Sequence, residues 1–231
     1  VVRRLAAPPR IDGDAGDWTD VPAQDIVGAS RATFRLAYDN ANLYALFAVE
    51  DDSPWRNGGK DAGGLFKTGD AVDLQFAVDA SANDASSPGA THRRLVVAPM
   101  GERAACVLMR PVDPGADPGT ARVYRSPIGE RRFDRVAQLE RAVVGVRVEA
   151  QRYVVELAVP LSELGFAPSA GLCVRGDAGV IASDADGLRD VARSYWSNPA
   201  TNLVNDLPSE AGLEPAAWGV WACDPAAAIA P

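Results

Sequence analysis

The side chains with chemistry to offer are carboxylates, amides and guanidinium groups rather than activated nucleophiles. Asp73 and Gln75 alternate with Val72, Leu74 and Phe76, so in an extended segment they share the face turned away from the apolar one. Arg175 and Asp177 stand in the same relation to Val174, and Glu156 to Val155 and Leu157. If these segments share a sheet, they present a row of polar groups suited to holding hydroxyls; otherwise they form a solvated face or cross-strand ion pairs. Residues 195–206 gather aromatics, amides and a carboxylate, and Trp196, Asn198 and Asn202 fit a polar ligand. The same amides can instead satisfy the backbone of an ordered loop. Acidic residues at segment ends (Asp51 and Asp52, Asp70, Asp184 with Asp186, Asp12 with Asp14) have the oxygen chemistry of calcium ligands, without the EF-hand pattern. His92 is the one histidine, so a His-based zinc site and a His-based triad both lack their supporting residues.

Such groups need a rigid sheet to hold them. Phe34, Leu36 and Tyr38 alternate with Arg35, Ala37 and Asp39, residues 39–42 carry turn chemistry, and Leu43 to Val49 is apolar on both faces. A long antiparallel pair with a fully buried second strand implies a sandwich core. Further strands are expected over residues 70–79, 92–98, 103–109, 143–150, 153–159, 172–181, 192–196 and 218–222. Residues 80–91 and 113–119 read as loops, and 160–165 as one helical turn stopped by Gly165. No long amphipathic helix, internal repeat or linker divides the chain. The expectation is an all-β protein: a single antiparallel β-sandwich, jelly-roll or immunoglobulin-like, with two packed sheets, long loops and at most short helical turns. One domain spans residues 1–231, with its core at about 8–222 and a tail at 223–231.

Composition narrows the function classes. Hydrophobic residues are 47% of the 231-residue chain, enough for a real core. The net charge of −8 argues against nucleic acid, because a phosphate binder needs a basic face. No stretch approaches the roughly 20 apolar residues of a membrane span, and residues 1–9 do not resemble a signal peptide. Cys106, Cys173 and Cys223 have no metal-site spacing, and free thiols are expected.

Taken in order, several segments make the chain similar to family 9 carbohydrate-binding modules. They are Ile11-Asp12-Gly13 with Trp18, Leu36-Ala37-Tyr38-Asp39 with Asn42-Leu43-Tyr44, and Gly69-Asp70-Ala71-Val72-Asp73-Leu74. Tyr153-Val154-Val155-Glu156-Leu157-Ala158-Val159-Pro160, Ser194-Tyr195-Trp196-Ser197 and Trp218-Gly219 complete the series. The resemblance implies a non-catalytic, extracytoplasmic β-sandwich, an appendage of a larger secreted carbohydrate-active protein whose other domains are its partners. In the sugar-binding members two tryptophans clamp a terminal sugar, polar side chains bond its hydroxyls, and calcium steadies the loops. The logic is physical: a sugar's CH face stacks on aromatics, and its hydroxyls need fixed donors and acceptors.

Carried over residue by residue, the first clamp position is Lys67, with Phe66 beside it and Trp55 in the same loop. The second falls between Trp196 and Asp206, where the only tryptophan is Trp196 itself. Arg94 lies on the strand that donates an arginine, whose fork can bridge two hydroxyls. The expected ligand-binding set is therefore Trp55, Phe66, Asp73, Arg94, Arg175, Trp196, Asn198 and Asn202. Asp52 and Asp70 are the expected metal ligands, with calcium as the ion. No haem is expected, although His92 with Met100 or Met109 has axial-ligand chemistry. Trp18, Trp218 and Trp221 are assigned to packing. No glycosidase pair stands out among Asp70, Asp73 and Glu156, so no enzyme is expected. The alternative is a structural or protein-interaction sandwich that has lost its sugar site, which Lys67 at the clamp position favours.

Overall fold

The computed structural model describes residues 1–53, 55–199 and 206–224. Strands are numbered β1–β15 along the chain. Arg31–Tyr38 (β3) and Asn42–Glu50 (β4) form the expected hairpin, with Tyr38 opposite Leu43 and Arg31 opposite Glu50. Asp39 fixes the turn by accepting the Ala41 and Asn42 amides, both at 2.7 Å, and the Tyr44 hydroxyl. β4 runs mid-sheet between β3 and Arg152–Pro160 (β12), which fits the apolar run from Leu43 to Val49. Val2–Arg4 (β1) lies parallel to β3, Gln24–Val27 (β2) lies antiparallel beside it, and Val143–Val148 (β11) borders β12. Among the described residues these make a six-stranded sheet.

The facing sheet has the order β10-β7-β6-β5-β13-β14, with β15 also on β13. Its strands are Ala71–Ala77 (β5), His92–Met100 (β6), Arg103–Arg110 (β7), Arg135–Gln138 (β10), Cys173–Ser183 (β13), Asp190–Tyr195 (β14) and Gly219–Ala222 (β15). Phe34, Phe47, Leu74, Phe76, Leu157, Val174 and Trp221 fill the space between the sheets. The fold is the expected β-sandwich. Its helices are short: Leu161–Leu164 (α1), ended by left-handed Gly165, and Leu207–Ala211 (α2). All three cysteines are free.

Each outer face carries a partial cover. Over the first sheet, Trp18 and Val21 pack on Tyr44, Leu46 and Val154. Glu156 rises into this cover, where its carboxylate accepts the Trp18 indole N–H at 2.6 Å and the Gly13 and Asp12 amides. Over the second sheet lie the hairpin Arg122–Ser126 (β8) and Gly129–Phe133 (β9), then α2, Leu213 and Trp218. Trp18, Trp218 and Trp221 are all buried, as expected.

Two expectations are corrected here. Glu156 lies in the first sheet and Asp73, Arg175 and Asp177 in the second, so they form no single row. The outer face bearing Asp73 and Gln75 is not solvated, because the β8–β9 hairpin and α2 close over it.

Candidate functional site

Most of the residues singled out by sequence fall into two groups at the second sheet. Strand register places Gln75 between Asp177 on β13 and Arg94 on β6, while Asp73 lies between Gly179 and Val96. Alternation therefore brings Asp73 and Arg94 together diagonally, as cross-strand geometry allows. Arg94 Nη2 donates to Asp73 at 2.6 Å and Nε at 3.0 Å, while Nη1 donates to the Glu210 and Ala211 carbonyls at 2.7 and 3.0 Å. The Arg94 guanidinium stands 4.9 Å from the Phe66 ring centroid. Tyr195 donates its hydroxyl to Asp73. It reaches there because residue 179 is glycine: a Cβ at that position would lie 2.4 Å from the tyrosine ring.

α2 is drawn onto this cluster by cations of the sheet and its loops. Lys67 bonds Glu210 at 2.8 Å and Asp190 at 3.0 Å. Arg193 donates to the Glu210 carbonyl, to the Phe66 carbonyl and to Tyr195. The C-terminal carbonyls of a helical turn favour positive charge, so the short helix sits where two guanidinium groups can meet it. Phe66, Asp73 and Arg94 thus come together, yet the chain's own carboxylate and backbone carbonyls occupy the Arg94 donors that a ligand would use.

The second group gathers at the Trp218-Gly219 corner. Arg175 is half-buried and donates to the Asn83 and Trp218 carbonyls at 3.2 and 2.8 Å. Trp196, also half-buried, lies over Gly219 and meets Phe34 edge-on at 5.8 Å. Asn198 is buried, and its amide donates to Asp177, which also accepts the Ser197 and Ala178 amides. Burial pushes the Asp177 carboxyl up to about 6 against the pull of those amides. Trp55 is separate: half-buried, it packs on Tyr153 with ring centroids 4.4 Å apart. Asn202 lies outside the described residues.

The carboxylates proposed for calcium do not form a cage. Both Asp70 oxygens accept backbone amides, from Arg56 at 2.8 Å and Ser183 at 2.7 Å, and burial raises this carboxyl. Asp52 is exposed, and among the described residues no three Asp, Glu, His or Cys groups gather to hold a metal.

Open concavity lies elsewhere. Two grooves of about 500 and 930 Å³ share Arg31, Glu50 and Arg152 at one end of the first sheet. None of these three residues stood out in the sequence. Their signal was the placement of charged residues at strand ends that pair in register.

No protein-family profile and no curated protein sequence matches the chain. Solved structures do. A family 9 carbohydrate-binding module from Caldicellulosiruptor kristjanssonii in complex with glucose superimposes with a TM-score of 0.62 at 17% identity, covering 99% of this chain and 100% of that one. A family 9 module from the same organism in complex with cellotriose gives 0.61 at 16% identity, covering 100% and 97%. The chain therefore has the fold of family 9 carbohydrate-binding modules from end to end.

Proposed function

We propose that the chain is a non-catalytic carbohydrate-binding module, an appendage of a larger secreted carbohydrate-active protein, holding a sugar chain end or short oligosaccharide. The observation that carries the reading is the end-to-end likeness to modules solved with glucose and with cellotriose. The chemistry agrees. Carboxylates, amides and guanidinium groups are plentiful, and the one histidine, His92, has no supporting residues for a His-based triad. Among the described residues no helix is long and apolar enough to cross a membrane. Attachment to a catalytic partner would raise the local concentration of a weakly held sugar.

One observation favours a second reading, a structural or interaction sandwich without a sugar site. The carbonyls of Glu210 and Ala211 already fill Arg94, and Trp55 and Trp196 offer no fully open ring. Isothermal titration against reducing and non-reducing oligosaccharides separates the two. Saturable binding supports the module, and silence from folded protein supports the second reading. EDTA is expected to leave both affinity and Tm unchanged, because among the described residues no three acidic side chains gather at Asp52 or Asp70.

A further inference from the structure

The outer face of the first sheet is open at one end, where its cover stops. Arg35 donates to the Val21 carbonyl and Leu46 lies in the cluster with Trp18, so that part of the face is closed. Beyond it run two rows, an outer one that is exposed and, nearer the cover, one that is half-buried at Thr33 and Ala48. Val27, Arg31, Glu50 and Arg152 follow one another across β2, β3, β4 and β12. Asp25, Thr33 and Ala48 form the neighbouring row. Thr33 and Ala48 are short, so the floor between the cover and the wall of long charged side chains is sunken. Past Glu50 the trough continues over Asp51, Asp52 and Ser53 to Ser183 and Val191 of the second sheet.

The charged groups in this trough contrast with those under α2. Arg31 and Glu50 are direct cross-strand neighbours of opposite sign, an arrangement that ordinarily closes an ion pair. Among the described residues neither side chain makes a hydrogen bond or ion pair. Arg152, on the other side of Glu50, is paired with Glu149 at 2.7 Å instead. A carboxylate and a guanidinium thus line the same groove with their bonding capacity intact.

We propose that this trough is where the chain holds an uncharged oligosaccharide, an assignment that rests on the carbohydrate-binding reading above. A carboxylate accepts from two adjacent hydroxyls, and a guanidinium fork donates to two oxygens, so Glu50 and Arg31 together match a vicinal diol. Thr33, Ser53 and Gln151 add neutral donors and acceptors. Val27, 72% exposed, and Ala48 give the CH faces of a sugar an apolar surface. Both signs of charge are present, so a strongly charged ligand of either sign meets repulsion that a neutral polyol does not.

The test titrates cellotriose, and in parallel the other neutral oligosaccharides of the panel, into the full chain and two variants. Thr33→Trp fills the trough floor from a half-buried, outward-facing strand position that suits an aromatic. Glu50→Gln keeps the shape and removes the charge. Circular dichroism and Tm establish that both are folded. Binding is expected to vanish in Thr33→Trp and to weaken roughly tenfold in Glu50→Gln. Wild-type binding with unchanged affinity in either variant overturns the trough while leaving the carbohydrate function standing. No binding by the folded wild type overturns both.

Discussion

Arg94 has no exposed surface, yet each of its guanidinium nitrogens has an acceptor: Asp73 on one side and two backbone carbonyls on the other. Coulomb attraction and hydrogen bonds together offset a desolvation cost that neither partner could bear alone. Asp73→Asn should therefore destabilise the fold by about 3–5 kcal/mol, as seen in urea denaturation, because it leaves a buried guanidinium uncompensated. Asp73→Leu combined with Arg94→Met should recover much of that loss; a double variant no better than the single one would mean that the polar contacts are intrinsically favourable. Asp177 makes a prediction about pH. Its carboxyl is raised by burial to about 6, whereas the unfolded chain releases this proton at about 4. Between those values the folded state holds a proton that the unfolded state has lost. This residue's contribution to stability is thus fully present below about pH 4 and falls as pH rises to 6, by roughly 3 kcal/mol. The stability advantage of the wild type over Asp177→Asn should shrink across that interval. A constant or growing advantage would contradict the assigned carboxyl shift.

At the scale of elements, the hairpin and the central strands were legible because burial imposes a period. β3 alternates since one of its faces is buried more deeply than the other, and β4 is apolar from Leu43 to Val49 since both its faces are covered over most of that run, up to Phe47. The covers were not legible. In β8 and β9 only Tyr124 and Phe133 are buried, so five-residue strands rich in arginine show no alternation to read. α2 is one turn, too short for a helical period, and packing rather than propensity holds it. Its one signal was Asp206 before Pro208 and Ser209, the pattern of a capped first turn, and Asp206 indeed accepts the Ser209 amide at 3.2 Å. Missing the covers changes what the site residues mean. Alternation correctly put Asp73 and Gln75 on the face away from Phe76, but solvent exposure of that face depended on segments distant in sequence. Gly179→Ala tests how tightly the covered layer is built. The added methyl would strike the Tyr195 ring and push its hydroxyl off Asp73, with an expected cost of about 1–3 kcal/mol in chemical denaturation. A neutral result would mean that the ring can shift without disturbing the ion pair.

For the whole molecule, the arrangement is two sheets around one core with a cover on each outer face, and polar side chains couple the layers. Glu156 ties the first cover to β12 through the Trp18 indole, and Arg94, Arg193 and Lys67 tie α2 to the second sheet. Neither cover has a core of its own. Trp18 buries its ring against strand residues, and Phe133 and Leu213 do the same on the other side. A cover that separated would expose a large aromatic, worth about 1.5–3 kcal/mol of burial, and leave a buried charge unpaired. Loss of a cover should therefore bring down the sandwich, giving one cooperative unit over the described chain. The tryptophans report on every layer: Trp18 in the first cover, Trp221 between the sheets and Trp218 in the second cover. Guanidinium unfolding followed by tryptophan fluorescence and by far-ultraviolet circular dichroism should give coincident single transitions. If fluorescence moves first, a cover opens ahead of the sheets, and the polar face bearing Asp73 and Arg94 then becomes accessible in a partly folded state.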